Sequence, residues 1–102
     1  MIITKHAMQR IRKRVGVTVK GAERIATRAL ENGITHNDTN GTLNHYMSRQ
    51  FLKYRTANNL RIWCNFVYVF CNDTLVTVFQ LPPELRKYAE KIRKRKKAKA
   101  RI

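Results

Sequence analysis

From Thr4 to Val15 the apolar residues Ala7, Met8, Ile11 and Val15 recur at helical spacing, and Thr4 is a good N-cap. The pattern predicts a first helix ending near Arg14. On it His6, Arg10 and Arg14 fall at i, i+4 and i+8 and share one strip. Lys5, Gln9 and Arg12 point further round, towards water. The His/Arg strip therefore lies at the border between core and solvent, where clefts are lined. Its plain alternative is a solvated cationic face with an incidental histidine. After the Val15-Gly16-Val17 break, Thr18 is a second N-cap. Ala22, Ile25, Ala26, Ala29 and Leu30 then give the clearest amphipathic pattern in the chain. Glu23 and Arg28 suit the dipole of that second helix, and Gly33 is placed to end it. This helix reads as packing.

Ile34 to Thr42 is polar and rich in turn residues, which predicts a loop. The period then changes to two. Leu43 to Met47 reads as a short strand and Arg49 to Thr56 as another, followed by an Asn58-Asn59 turn. Leu60 to Cys71 is the strongest strand signal. Leu60, Ile62, Cys64, Phe66, Tyr68 and Phe70 are expected on one face. Arg61 and Trp63 fall on the other, and the Arg61 end is expected to open onto the cleft lined by the first helix. Asn72-Asp73 is a hairpin turn and Thr74 to Leu81 the last strand. Pro82-Pro83 ends the sheet. Leu85, Tyr88, Ala89 and Ile92 keep helical spacing for two turns, and Arg93 to Arg101 is almost purely basic. The expected architecture is α+β: two N-terminal helices packed on an antiparallel sheet of three to four strands. Residues 1–83 form the domain and residues 84–102 a basic C-terminal helical arm.

Charge changes the picture. The 102 residues carry 22 Lys and Arg against 6 Asp and Glu, a net +16, with 43% hydrophobic content, enough for one modest core. Half of that excess, +8, lies between Glu84 and Ile102, so the body is also +8. Such a field attracts polyanions: nucleic acid first, then an anionic membrane surface or an acidic protein. No apolar run is long enough to span a bilayer, and the N-terminus lacks the pattern of a secretory signal. Cys64 and Cys71, read on one strand, lie roughly 23 Å apart, beyond disulfide reach, and are expected as reduced core residues. A cytoplasmic protein fits these features.

Few chemistries remain. His36, Asp38 and His45 share a stretch of chain, but no metal-ligand spacing appears, and no metal or other cofactor is expected. Cysteines in an apolar strand are poor nucleophiles, and the four glycines are scattered, with no phosphate loop. What is left is His, Arg, Lys, Tyr and Thr on a cationic frame. Those are the parts of a metal-independent ribonuclease: a base for the 2′-hydroxyl, a proton source for the leaving oxygen, and fixed cations for the phosphate. Arginine suits the last task through its planar, permanently charged fork.

Two helices followed by a sheet, opening with "ITKHAMQRIRKR" and closing with "TLVTVFQLP", resemble the barnase/EndoU/colicin/RelE-like superfamily of small RNases and toxins. The likeness is greatest to small bacterial and phage members that begin His-Ala-x-x-Arg and end on a Val-Thr-Val-aromatic strand. It covers roughly residues 2–82. The resemblance implies an RNA site formed by His6, Arg10 and Arg14, then Arg61, then Thr77. The chain departs from barnase in lacking a carboxylate on a central strand. His6 is then the best acid or base, with Tyr46, His45 or Tyr54 as a second group.

Further nucleic-acid contacts are expected at Lys5 and Lys13, at Lys53 and Arg55, and along Arg93, Lys94, Arg95, Lys96 and Lys97. Tyr46, Tyr54 and Trp63 are candidates to stack on bases, although core packing is the better reading for Trp63. The leading expectation is an endoribonuclease of toxin or phage type, leaving a 2′,3′-cyclic phosphate. The alternatives are a non-enzymatic nucleic-acid-binding regulator or ribosome-associated protein, and an inhibitor of an acidic or nucleoprotein partner. RNA is the expected partner in the first, and an acidic antitoxin-like protein is a further candidate.

Overall fold

The computed structural model of the chain describes residues 1–54 and 58–100. Among them are β1 (Ile2–Ile3), α1 (Lys5–Arg14), α2 (Val19–Asn32), β2 (Ile34–Thr35) and α3 (Gly41–Lys53). Then follow β3 (Asn59–Trp63), β4 (Phe66–Cys71), β5 (Thr74–Gln80) and α4 (Arg86–Ala100). The fold is α+β. Its sheet has the order β1-β5-β4-β3-β2, antiparallel except for β1, which runs parallel to β5.

Both faces of the sheet are covered. Ala7 and Ile11 of α1 and Ala22, Ala26 and Ala29 of α2 pack against Tyr68, Phe70, Leu75 and Val78. On the other face Leu43, Tyr46 and Met47 of α3, with Leu85, Ala89 and Ile92, pack against Leu60, Ile62, Val67 and Val69. The first two helices are those expected from the sequence. Thr4 and Thr18 cap them by accepting from the backbone N–H of Ala7 and Gly21.

Three expectations need correction. Residues 43–53 form a helix, α3, in place of two strands. Leu43, Tyr46 and Met47 stand at i, i+3 and i+4, so a single helical face buries all three. The spacing is helical, not alternating, and the helix formed covers the second face of the sheet. Second, the run from Leu60 to Cys71 is a hairpin. Cys64 and Asn65 take φ of +49° and +69° and close a two-residue turn under the Trp63–Phe66 pair. The chain reverses there, so Leu60 and Ile62 enter one core while Phe66, Tyr68 and Phe70 enter the other. Cys64 is consequently an exposed turn residue, Cys71 is half-buried, and both thiols are free. Third, the sheet has five strands among the described residues, in place of three to four, and is mixed, because the two-residue β1 and β2 add to its edges and β1 runs parallel. The C-terminal segment is helical over Arg86–Ala100. Leu85, Ala89 and Ile92 bind it to the core, and Lys96 reaches the Gly33 carbonyl at 3.3 Å and the Asp38 carboxylate at 2.8 Å. The basic segment lies across the sheet to its β2 edge.

Gly33, at the end of α2, has an ordinary φ of −66°, so the need for glycine there is spatial. A Cβ would lie 2.4 Å from the Ala29 carbonyl oxygen and 2.9 Å from the Arg61 Cβ.

Asp38 ties the α2–α3 connection together. Its carboxylate accepts from the Thr35 N–H at 2.9 Å while its own N–H donates to the Thr35 hydroxyl. Partial burial would raise its pKa, but the hydrogen bonds from Lys96 and Thr35 outweigh burial and hold it below the usual 3.8. A depressed carboxylate adds stability above its unfolded pKa and loses it as pH falls through the folded value. The melting-temperature gap between wild type and Asp38→Asn is therefore expected to be steady near neutrality and to close below about pH 4. A gap that persisted into stronger acid would remove the charge from the explanation.

Candidate functional site

The site begins with the unpaired stretch of β5. β1 covers only Thr74 and Leu75, through the Ile2–Thr74 and Ile3–Leu75 pairs. Beyond them the outer edge of β5 faces α1, whose side chains take over the missing hydrogen bonds. The Thr4 hydroxyl donates to the Val76 carbonyl at 3.3 Å, and Arg14 Nη1 donates to the Val78 carbonyl at 2.8 Å. This explains why the His/Arg strip sits at the border of core and solvent: it lies along a strand edge.

Between those anchors the exposed His6 brings its Nε2 to 3.4 Å from the Thr77 hydroxyl, a long hydrogen bond between residues 71 apart in the chain. Thr77 is only 7% exposed and meets the ring rather than solvent. With Nε2 engaged there, Nδ1 is the nitrogen left to meet a ligand. Arg10, half-buried, lies one turn along the same strip.

Thr77 stands opposite Val69 and Phe79 opposite Val67, so both point to the face covered by α3 and α4. Phe79 stacks on Tyr54, with ring centroids 5.8 Å apart and planes 18° apart, and Lys53 Nζ stands 5.7 Å from the Tyr54 centroid. One face of β5 thus carries a histidine at one end and an aromatic pair with a lysine at the other. Thr77 and Phe79 are about 7 Å apart along the strand. The Phe79 contribution was missed in the sequence, although the Thr77-x-Phe79 alternation carried it.

The other candidates are distributed differently. Arg61 is not part of this group. It lies on the α1/α2 face of β3, two strands from β5, where it donates to the Leu30 carbonyl at 3.4 Å and to the Asn59 side chain. Burial lowers its pKa, with Asp38 opposing, and its place is at the back of α2. Tyr46 is a core residue, only 9% exposed. Burial, and then Tyr54, push its phenol pKa up, and the same burial leaves no open ring face for a base to stack on. Trp63 packs against the α1/α2 core, as read from the sequence. Lys5 and Lys13 are exposed on α1, and Arg55 lies outside the described residues. Arg93 pairs with Glu90 and Lys96 with Asp38, whereas Lys94, Arg95 and Lys97 face solvent.

His36 and Ser48 form a second histidine–hydroxyl contact, at 2.9 Å. The Ser48 hydroxyl already donates to the Asn44 carbonyl one turn back, at 3.0 Å, so it accepts from His36 Nε2. That arrangement braces the turn and does not activate a nucleophile. Among the described residues no three His, Cys, Asp or Glu side chains are grouped to hold a metal. No helix among them is long and apolar enough to cross a membrane. No protein-family model, no curated protein and no solved structure matches this chain.

Proposed function

We propose that the protein is a metal-independent endoribonuclease acting at the β5 edge. The observation that carries this reading is the approach of His6 to the buried Thr77 hydroxyl, with Arg10 one helical turn along the same strip. Thr77 holds the ring by Nε2, and Nδ1 takes the proton from an RNA 2′-hydroxyl. The 2′-oxygen attacks phosphorus, the P–O5′ bond breaks, and a 2′,3′-cyclic phosphate remains. Arg10 stabilises the charge that gathers on the phosphoryl oxygens. Of the three side chains considered as proton donor to O5′, Tyr46 is buried and His45 stands on the exposed side of α3. Tyr54 shares the Thr77 face of β5 and takes that role. Arg14 is already bonded to Val78 and fixes α1 against the edge.

The test is purified protein with total RNA, read on a gel with and without EDTA. Cleavage is expected to survive the chelator and to leave cyclic-phosphate ends. Loss in EDTA with recovery on Mg²⁺ or Zn²⁺ overturns the mechanism. Binding without cleavage puts a nucleic-acid-binding module in its place. Thr77 is a positioning residue. Thr77→Val is expected to lower turnover roughly tenfold with RNA affinity unchanged, and Thr77→Ser to restore it. Equal rates in the two variants would leave the hydroxyl without a role.

A further inference from the structure

The outer face of α4 plays no part in the site at β5. Leu85, Ala89, Ile92 and Lys96 form the inner stripe that docks this segment on the sheet. Lys87, Lys91 and Lys94 recur at i, i+4 and i+7 on the opposite side, and all three are exposed. Glu90 is the one acid in α4, and Arg93 holds it with two hydrogen bonds. The lysine stripe is held in place because Lys96 fixes the far half of α4 at the β2 edge.

The geometry points to the Lys87–Lys91–Lys94 stripe as a phosphate-binding rail for an RNA strand, set apart from the bond that His6 cuts. The distance defines the substrate. From β5 to the β2 edge is three strand spacings, about 14 Å, the outer face of α4 stands a further helix diameter of about 10 Å off the sheet, and Lys87 to Lys94 is about 10 Å along the helix. At about 3.4 Å per stacked nucleotide, the path to the far end of the stripe is about six or seven nucleotides. Strands of about eight nucleotides or more therefore engage both places, and much shorter ones engage only the β5 site. RNA fits better than a protein partner because, among the described residues, the exposed large apolar ones are Met1, Ile2, Val19, Phe51 and Leu52, none of them on α4. A face of ammonium groups with no apolar anchor suits a phosphate backbone.

The location of the cut rests on the proposed cleavage at His6, but binding to the rail does not. The experiment therefore uses full-length His6→Ala protein and reads binding alone, with labelled single-stranded RNAs of about 12 and about three nucleotides. One variant carries Lys87→Gln, Lys91→Gln and Lys94→Gln. The control carries Lys20→Gln, Arg24→Gln and Arg28→Gln, the same loss of charge on exposed positions of α2, on the other side of the sheet. The α4 variant is expected to bind the longer RNA at least tenfold more weakly. Its log K against log salt should flatten by about 2, at about 0.7 per phosphate released. The short RNA should bind all three proteins alike. An equal loss in the α2 control would reduce the rail to a diffuse field and overturn it. So would an unchanged salt slope, or a loss seen only with phosphatidylserine vesicles. Cleavage-competent wild type with an unchanged slope would sink the rail and leave the β5 site standing.

Discussion

Replacing His6 by alanine is expected to lower RNA turnover by roughly 10² to 10⁴ while affinity barely changes. The side chain is exposed and in the first turn of α1, so the fold should lose at most about 1 kcal/mol. The Thr77 hydroxyl meets the ring at long hydrogen-bond distance, so the ring is oriented without being locked. Arg10→Ala is expected to lower turnover as well, because a cation at the transition-state phosphate is worth a few kcal/mol once RNA excludes water. Arg14→Ala differs in kind: it removes the bond to Val78 and is expected to lower the melting temperature along with the rate. Arg12, exposed on the outer side of the same helix, is the control and should behave like wild type. Single-turnover cleavage with circular dichroism on the same samples separates these cases. Small, equal losses across all four would make the strip a solvated basic face.

Gly33→Ala is expected to destabilise the protein by about 2–3 kcal/mol, read as a shift in the denaturant midpoint at constant slope. The new methyl carbon would meet the Ala29 carbonyl oxygen at 2.4 Å and the Arg61 Cβ at 2.9 Å. The first is backbone and the second sits on a strand, so neither can swing aside. Relief must come from shifting the end of α2 away from β3, which also strains the Arg61 bond to the Leu30 carbonyl. An unchanged midpoint would mean that α2 meets the sheet less closely than described.

The first two helices were legible because their apolar positions repeat over enough turns to fix a period, and each starts at a threonine cap. Strand β5 was legible for a related reason: five of its seven residues are β-branched or aromatic, and they lie between an Asn-Asp turn and two prolines. The α3 segment was not, because Leu43, Tyr46 and Met47 have helical spacing but span little more than one turn, too short a run to stand out. What they cover is the second face of the sheet. The Cys64-Asn65 reversal was hidden since neither residue is glycine, the usual mark of positive φ. At the site, the His6–Arg10–Arg14 strip followed from periodicity, and its pairing with Thr77 came from the family resemblance. Arg61 was misplaced because the hairpin and the strand order that separate it from β5 are long-range facts. The Tyr54–Phe79 stack depends on where α3 ends, which no local pattern records.

The pairing of β1 with β5 joins residue 2 to residue 74, and the His6–Thr77 contact depends on the same closure. Contacts this distant in sequence form late, since the loop between them must first be closed. During synthesis, α1 emerges from the ribosome with no strand to lie against until the last strand has followed it. A His6–Thr77 pair assembled this way cannot form in a chain that stops short of β5. On the proposed function, a nuclease made beside its own potential substrate is kept silent by topology until β5 has been made.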